Sequence, residues 1–293
     1  MTLVGNTLPV STRLVSSRRL GMSLLERSSH FEFGENWKDY SRSIDKERIN
    51  HAIAGIQKLF PDGIEGKTFL DIGSGSGLHS LAALMLGAKS VTSIDIDENS
   101  IEATRALLTS RAPSKPWSAE VVSIFDAPND MRNKFDIVYS WGVLHHTGDM
   151  WRAIEKASEL VKDGGQFCIA IYASTRSERF WTSEKAFYAK APKFLQWTVR
   201  QFYIAAYLAA KLLIRQNPIS YVRNYKSNRG MNFSHDAHDW LGGYPYETAR
   251  AEELNQRISA LGFSEVRSFR LPYTTGVFGA GCHEFVFKKA PPL

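Results

Sequence analysis

The sequence predicts an α/β fold: a parallel sheet with helices on both faces, an N-terminal helical cap and a helical insertion acting as a lid. Three observations carry this. Short apolar, largely β-branched runs alternate with stretches of helical spacing. The alternation is strict, and parallel neighbours need a crossover that a helix supplies. One long segment, 174–246, breaks the alternation and differs from the rest in charge.

Taken in order, residues 1–30 read as a disordered tail or a weak organelle transit peptide. The first 25 residues hold Arg13, Arg18 and Arg19, several serines and no acid. Residues 31–65 form the cap: the aromatic stretch "FEFGENW" (31–37), then the amphipathic "DYSRSIDKERINHAIAGIQKLF" (39–60). Residues 66–173 carry five strands, "TFLDIG", "SVTSIDI", "AEVVSIF", "FDIVYSW" and "QFCIAIY". The helices between them are "LHSLAALMLGA", "ENSIEATRALLTSRA" and "MWRAIEKASELVKDGG". Residues 247–293 add the helix "TARAEELNQRISALGF" and two more strands, "EVRSFRL" and "CHEFVFK".

Composition bounds the setting. A chain of 293 residues with 43% hydrophobic and 23% charged residues is long enough for one large α/β domain with additions. The two cysteines, Cys168 and Cys282, have no metal or redox spacing, which fits a reducing, cytoplasmic location. The net charge of +6 is regional: from Lys185 to His235 there are nine lysines and arginines and no acid, and the remainder sums to −3.

Within the first strand and helix, "DIGSGSGLHS" (71–80) places glycines at 73, 75 and 77 and Leu78 where a dinucleotide fingerprint has its third glycine. G-x-G-x-G leaves the loop open to an aminocarboxypropyl chain and a ribose without a pyrophosphate seat. Asp95 ends the second strand 22 residues after Gly73, where a carboxylate accepts hydrogen bonds from both ribose hydroxyls. The competing reading is a tight glycine turn followed by a helix cap. Asp97 reads as the cap of the next helix.

"FLDIGSGSG", "VTSIDID" and "FDIVYSWGVLHHTGDMWRAIEKASELVKDGGQF" resemble the class I S-adenosylmethionine-dependent methyltransferases, and more narrowly the ubiquinone-pathway O-methyltransferase branch. The likeness runs from Phe31 over most of the chain. It implies a seven-stranded Rossmann-like methyltransferase sheet, which the last helix and two strands would complete, and S-adenosyl-L-methionine as cofactor. It also implies a cofactor set: Asp71, Gly73, Ser74 and Gly75 against the methionine moiety, Asp95 on the ribose, and Ile96, Ile124 and Phe125 around the adenine. Ser140, at the end of the fourth strand, joins that set. The commoner pattern has an acid where Ser123 stands, so backbone or Asp126 is left to hold the adenine amino group.

The acceptor side is less determined. "VLHHTGD" puts His145 and His146 after the fourth strand, at the mouth where sheet ligands sit. Adjacent residues point different ways, so one imidazole is expected to face the pocket while the other packs or caps. His145 is the expected base, for a hydroxyl acceptor. "SHDAHDWLGGYP" (234–245) reads either as a lid tip offering His238 as an acid–base group or as a polar turn, and no metal is assigned. "KFLQWTVRQFYIAAYLAAKLLIR" (193–215) has nearly the length of a membrane span but contains Arg200 and Lys211. A span inside a sheet domain would strand the last strands, so the segment reads as a helical lid. Its basic flanks suit an anionic membrane surface.

The expectation is therefore O-methylation of a small or lipid-linked acceptor. A sugar or polysaccharide O-methyltransferase is the alternative. Nucleic acid is disfavoured, because "YSWGVLHH" lacks the N/D-P-P-Y/F clamp of base-amino methylation. A nucleotide-binding module without turnover would keep the same glycines.

Overall fold

The computed structural model describes residues 44–229 and 233–291. The expected tail (1–30), "FEFGENW" and the start of the first amphipathic stretch lie outside the described residues.

Seven strands form one sheet in the order β3-β2-β1-β4-β5-β7-β6. They are β1 (Thr68–Ile72), β2 (Ser90–Asp95), β3 (Trp117–Val121), β4 (Phe135–Trp141), β5 (Val161–Tyr172), β6 (Phe263–Phe269) and β7 (Cys282–Lys289). All pairings are parallel except those of β7, which runs antiparallel to both β5 and β6. The crossovers are α1 (Lys46–Leu59) leading in, then α2 (Leu78–Met85), α3 (Glu98–Arg111), α4 (Met150–Glu159) and, before β6, α9 (Ala251–Ala260).

Local chemistry sets these ends. Asp45 caps α1 by accepting from the Arg48 amide at 3.0 Å, and Asp97 caps α3 through the Ser100 amide at 3.1 Å. β3 begins two residues before the expected start and stops at Val121, because the Ser123 side chain accepts the Phe125 amide and starts a 3₁₀ turn, Ile124–Asp126. "VKDGG", expected at the end of a helix, opens β5 instead: Val161 pairs with Phe135, and a register shift absorbs the extra residues.

Each face of the sheet has its own core. Leu70, Ile94, Val138, Phe167 and Phe285 pack with Ile154 of α4 and Leu254 of α9. Phe69, Ile137 and Val286 pack with Ile56, Leu81 and Leu108 of α1, α2 and α3. Each such large side chain contributes about 1.5–3 kcal/mol on burial, so both layers hold the sheet rigid beneath its C-terminal rim.

The insertion is helical: α5 (Glu178–Lys190), α6 (Lys193–Leu213), α7 (Pro218–Arg229) and α8 (Phe233–Gly242). Two expectations need correction. "SHDAHDWLG" is not a turn but part of α8, whose Ala237 and Leu241 are buried one helical turn apart. Lys185, counted among the basic residues of the acid-free segment, is fully buried. Among the described residues no helix is long and apolar enough to cross a membrane.

Candidate functional site

The C-terminal ends of β1, β2 and β4 meet at one rim, the usual ligand position in an open parallel sheet. After β1 the chain turns across β2: the Gly73 and Ser74 amides donate to the Ile94 carbonyl at 2.7 and 3.2 Å. Gly73, Gly75 and Gly77 all have left-handed φ, 73°, 53° and 78°. At Gly73 a Cβ would overlap the Val143 side chain, and at Gly77 it would stand 2.9 Å from Thr104 Cα. The first glycine therefore admits the β4 loop, and the third admits α3.

Two carboxylates face this loop. Asp95 accepts the Gly75 amide at 3.0 Å on one oxygen and the Asp97 amide at 3.0 Å on the other. Burial pushes its pKa up to about 6, with the amide bonds opposing. Asp71 accepts the Ser80 hydroxyl at 2.6 Å, and Ser80 meets Ser93 at 2.8 Å. Burial raises Asp71 to about 7, and the nearby Asp95 adds to the rise. Among the described residues no lysine or arginine pairs with either carboxylate. Two desolvated carboxylates beside this turn suit a cationic ligand that also carries a diol, and S-adenosylmethionine, with its ammonium, sulfonium and ribose, is such a ligand.

The other expected residues occupy less uniform positions. Ile96 and Phe125 are half-buried at the rim, while Ile124 is in the core. Ser74 is buried with its hydroxyl 3.0 Å from Thr104 Oγ1. Ser140 is fully buried, donating to the Ile72 carbonyl at 3.4 Å, so it braces β1 and does not face a ligand.

The histidine pair is placed opposite to expectation. His145 has 0% exposure, its Nδ1 accepts the Tyr172 amide at 3.3 Å, and among the described residues its Nε2 has no hydrogen-bond partner. Burial, with His146 and Lys185 adding, holds its pKa well below the usual value, so the ring is neutral. His146 is half-buried, and its Nδ1 stands 2.7 Å from the Pro245 carbonyl. A carbonyl only accepts, so this bond assigns the proton to Nδ1 and makes Nε2 the basic nitrogen. His238, on α8, meets the Tyr188 hydroxyl at 2.7 Å inside the lid, away from this pair's hydrogen bonds. Among the described residues no three His, Cys, Asp or Glu side chains are grouped to hold a metal ion.

Beside the histidines, Tyr172 at the end of β5 and rings of the helical insertion form an aromatic cluster. The Tyr172 ring lies 4.1 Å from His145, 5.3 Å from Trp240 and 5.4 Å from Tyr246, and Trp181 stands 5.5 Å from Trp240. Lys185 donates to the Trp240 carbonyl and lies 3.6 Å over the Trp240 ring. Burial lowers its pKa to about 7, with Glu184 opposing. Sequence reasoning missed Thr104, Val143, Ser80, Lys185 and Glu247. Glu247 joins lid to core, its amide donating to the His145 carbonyl and its carboxylate accepting the Met150 amide, both at 3.0 Å.

Residues 64–211 match the family described as Methyltransferase domain. The chain is 27% identical over 151 residues to the 27-O-demethylrifamycin SV methyltransferase of Amycolatopsis mediterranei, covering 47% of this chain and 51% of that one. It is 36% identical over 106 residues to the ubiquinone biosynthesis O-methyltransferase of Chelativorans sp., covering 36% and 40%. A ribosomal protein L11 methyltransferase of Teredinibacter turnerae is 30% identical over 123 residues, with 42% and 39% covered. The chain thus spans about half or less of these relatives. Among solved structures, a candidate S-adenosyl-L-methionine-dependent methyltransferase of Methanococcus maripaludis shares the fold at TM-score 0.50 and 15% identity, over 89% of this chain and 93% of that one. The [4+2]-cyclase SpnF does so at TM-score 0.51 and 13% identity, over 82% and 80%. A shared fold does not fix the reaction.

Proposed function

We propose that this chain, which belongs to the Methyltransferase domain family, is an S-adenosylmethionine-dependent methyltransferase that methylates an oxygen of a small or lipid-linked acceptor, with His146 as the base. In this reading Gly73, Ser74 and Gly75 line the methionine moiety with Asp71 behind them. Asp95 takes the ribose hydroxyls, and Ile96 and Phe125 flank the adenine with buried Ile124 behind them. The bound cofactor supplies an electrophilic methyl group on a positively charged sulfur.

What remains for the protein is to hold the acceptor in line, keep water out and remove a proton. Tyr172, Trp181, Trp240 and Tyr246 make the rim beside the histidines aromatic and dry. The observation that carries the base assignment is the tautomer of His146. Its Nδ1 stands 2.7 Å from the Pro245 carbonyl, which leaves Nε2 as the basic nitrogen, the group that a hydroxyl or a protonated amine needs for proton removal, and the partial likeness to O-methyltransferases favours oxygen. Neutral His145 lies beside it, with ring centroids 4.4 Å apart. The exposed apolar and basic face of the lid supports delivery of the acceptor from an anionic membrane surface.

Methyl-labelled cofactor incubated with an extract of the source cells tests the acceptor class, after separation into organic-soluble, protein and nucleic-acid fractions. Label in the organic-soluble fraction is expected, and label only in protein or nucleic acid overturns the reading. With the labelled product as assay, His146→Ala is expected to slow transfer about 10²–10⁴-fold with unchanged S-adenosylhomocysteine affinity. His145→Ala is expected to lower the melting temperature more than the rate. Full activity in His146→Ala would return the base to His145 or leave proximity alone.

A further inference from the structure

A second opening lies on the same rim, on the far side of β5 from the glycine loop. Its volume is about 340 Å³, and it is lined by Ser174, Arg250, Arg270, Leu271, Pro272, Tyr273 and the first residues of α9. That volume is within the range of small-molecule sites. The sheet explains its place: Tyr172 pairs with Cys282, so the ends of β5 and β6 and the start of β7 converge here.

Its walls are chemically divided. Leu271, Pro272 and Tyr273 form an apolar side. The Arg250 guanidinium lies 5.2 Å over the Tyr273 ring, and among the described residues no carboxylate pairs with it. Arg270, in contrast, is neutralised by Glu265 at 2.7 Å. Glu252, also part of the lining, reaches Arg270 at 3.6 Å with its side chain 80% exposed, so its carboxylate is shared between that guanidinium and solvent. His283 accepts the Leu271 amide on Nδ1 at 3.0 Å and is held neutral chiefly by burial, so it fixes the wall without adding charge. Arg250 is therefore the one cation of the lining whose hydrogen-bonding edge is not committed to a carboxylate among the described residues.

We propose that this cavity binds a small organic carboxylate, its apolar body packed on Tyr273, Pro272 and Leu271 and its carboxylate on Arg250. A guanidinium already fixed by an aromatic face presents its donors to a carboxylate with little ordering left to do. The carboxylate is carried either by the far end of the acceptor or by a separate molecule. The two sources share one connection to the methyl-transfer rim. Ser174 donates its amide to the Ala249 carbonyl, Ala249 donates to Tyr172, and Glu247 donates to His145, so one extended strip leads from Arg250 to the histidines.

The probe is 4-fluorobenzoate, titrated by fluorine NMR against the full chain, with 4-fluorotoluene as the uncharged control. Saturable binding of the benzoate is expected, about tenfold or more weaker in Arg250→Gln and weakened in Tyr273→Ala, with the toluene failing to compete. Arg250 is exposed, so its replacement leaves the fold intact, and S-adenosylhomocysteine affinity measured on the same sample separates failure of this site from failure of the cofactor reading. Absence of saturable binding, or equal binding by Arg250→Gln, overturns the proposal. Methylation of 4-hydroxybenzoate would mark the cavity as the acceptor's far end; its binding without methylation would mark a separate ligand.

Discussion

The glycine loop and the lid solve opposite problems. Around Asp71 and Asp95 every element is short and tightly tied: a loop hydrogen-bonded to β2, two carboxylates held by hydroxyls and amides, and glycines where α3 and the β4 loop must come close. In the lid, α6 has no buried residue over 21 positions, while Phe194, Trp197, Phe202 and Leu213 are 72, 57, 74 and 84% exposed. What order the lid has comes from rings meeting at its base, among them Trp181, Tyr188, Trp240 and Tyr246. In the proposed reading the first region holds a small polar cation in one pose. The second leaves an apolar surface to be covered, the usual condition of an element that docks.

The comparison breaks most easily at Gly73. Its left-handed φ and the Val143 side chain together forbid a Cβ. Gly73→Ala is expected to weaken S-adenosylhomocysteine binding about 10²-fold by calorimetry, combining backbone strain with overpacking. Gly73→Ala with Val143→Ala should recover about tenfold, because only the overlap is relieved. A Gly73→Ala protein with native affinity would mean the loop is far looser than its contacts imply.

The carboxylates sharpen the same contrast through pH. Asp71 and Asp95 titrate near 7 and 6 when folded and near 3.8 when unfolded. The folded state therefore holds protons that the unfolded state has lost. Their contribution to stability is present below about pH 4 and disappears as pH rises through 6 to 7. A cationic ligand needs them ionised. Affinity for S-adenosylhomocysteine should rise severalfold between about pH 5.5 and 7.5, with protons released on binding. Calorimetry in buffers of different ionisation enthalpy measures this release, and Asp95→Asn should reduce it and cost about tenfold in affinity. Binding independent of pH would remove both carboxylates from the cofactor's surroundings.

The same division governs what could be read from the sequence. Strand–helix alternation and the G-x-G-x-G loop are local signals, and the sheet and its rim follow from them. The misread places depend on partners far along the chain. Gly164 and Gly165 look like the end of a helix, but Gly165 sits within a strand, where a Cβ would lie 2.7 Å from the Lys162 carbonyl and 3.0 Å from that of Asp136. The choice between His145 and His146 is made by Tyr172 and Pro245, the second 99 residues away. Lys185 looks like surface charge until Trp240 and Tyr246 close over it. Only α8 was misread against a local signal, since Phe233, Ala237 and Leu241 already have helical spacing.

The smallest expected effect concerns the lid's outer face, where salt distinguishes docking from self-packing. Lys190, Lys193, Lys211, Arg215 and Arg223 lie among the exposed apolar side chains, and no acid occurs between Lys185 and His235. Each basic group near an anionic bilayer contributes about 1 kcal/mol, and this falls off within a screening length of about 10 Å at 0.1 M salt. Flotation with phosphatidylglycerol vesicles should therefore recover the protein at low salt and little of it at about 0.5 M salt, with phosphatidylcholine vesicles recovering little at either. Trp197→Glu with Phe202→Glu should abolish flotation while leaving S-adenosylhomocysteine affinity unchanged, because both side chains are exposed and lie on α6, away from the glycine loop. Flotation of that variant equal to the original would assign the attraction to charge alone. No flotation of the original protein under either condition would make the lid a cover for its own site and leave a water-soluble acceptor as the substrate.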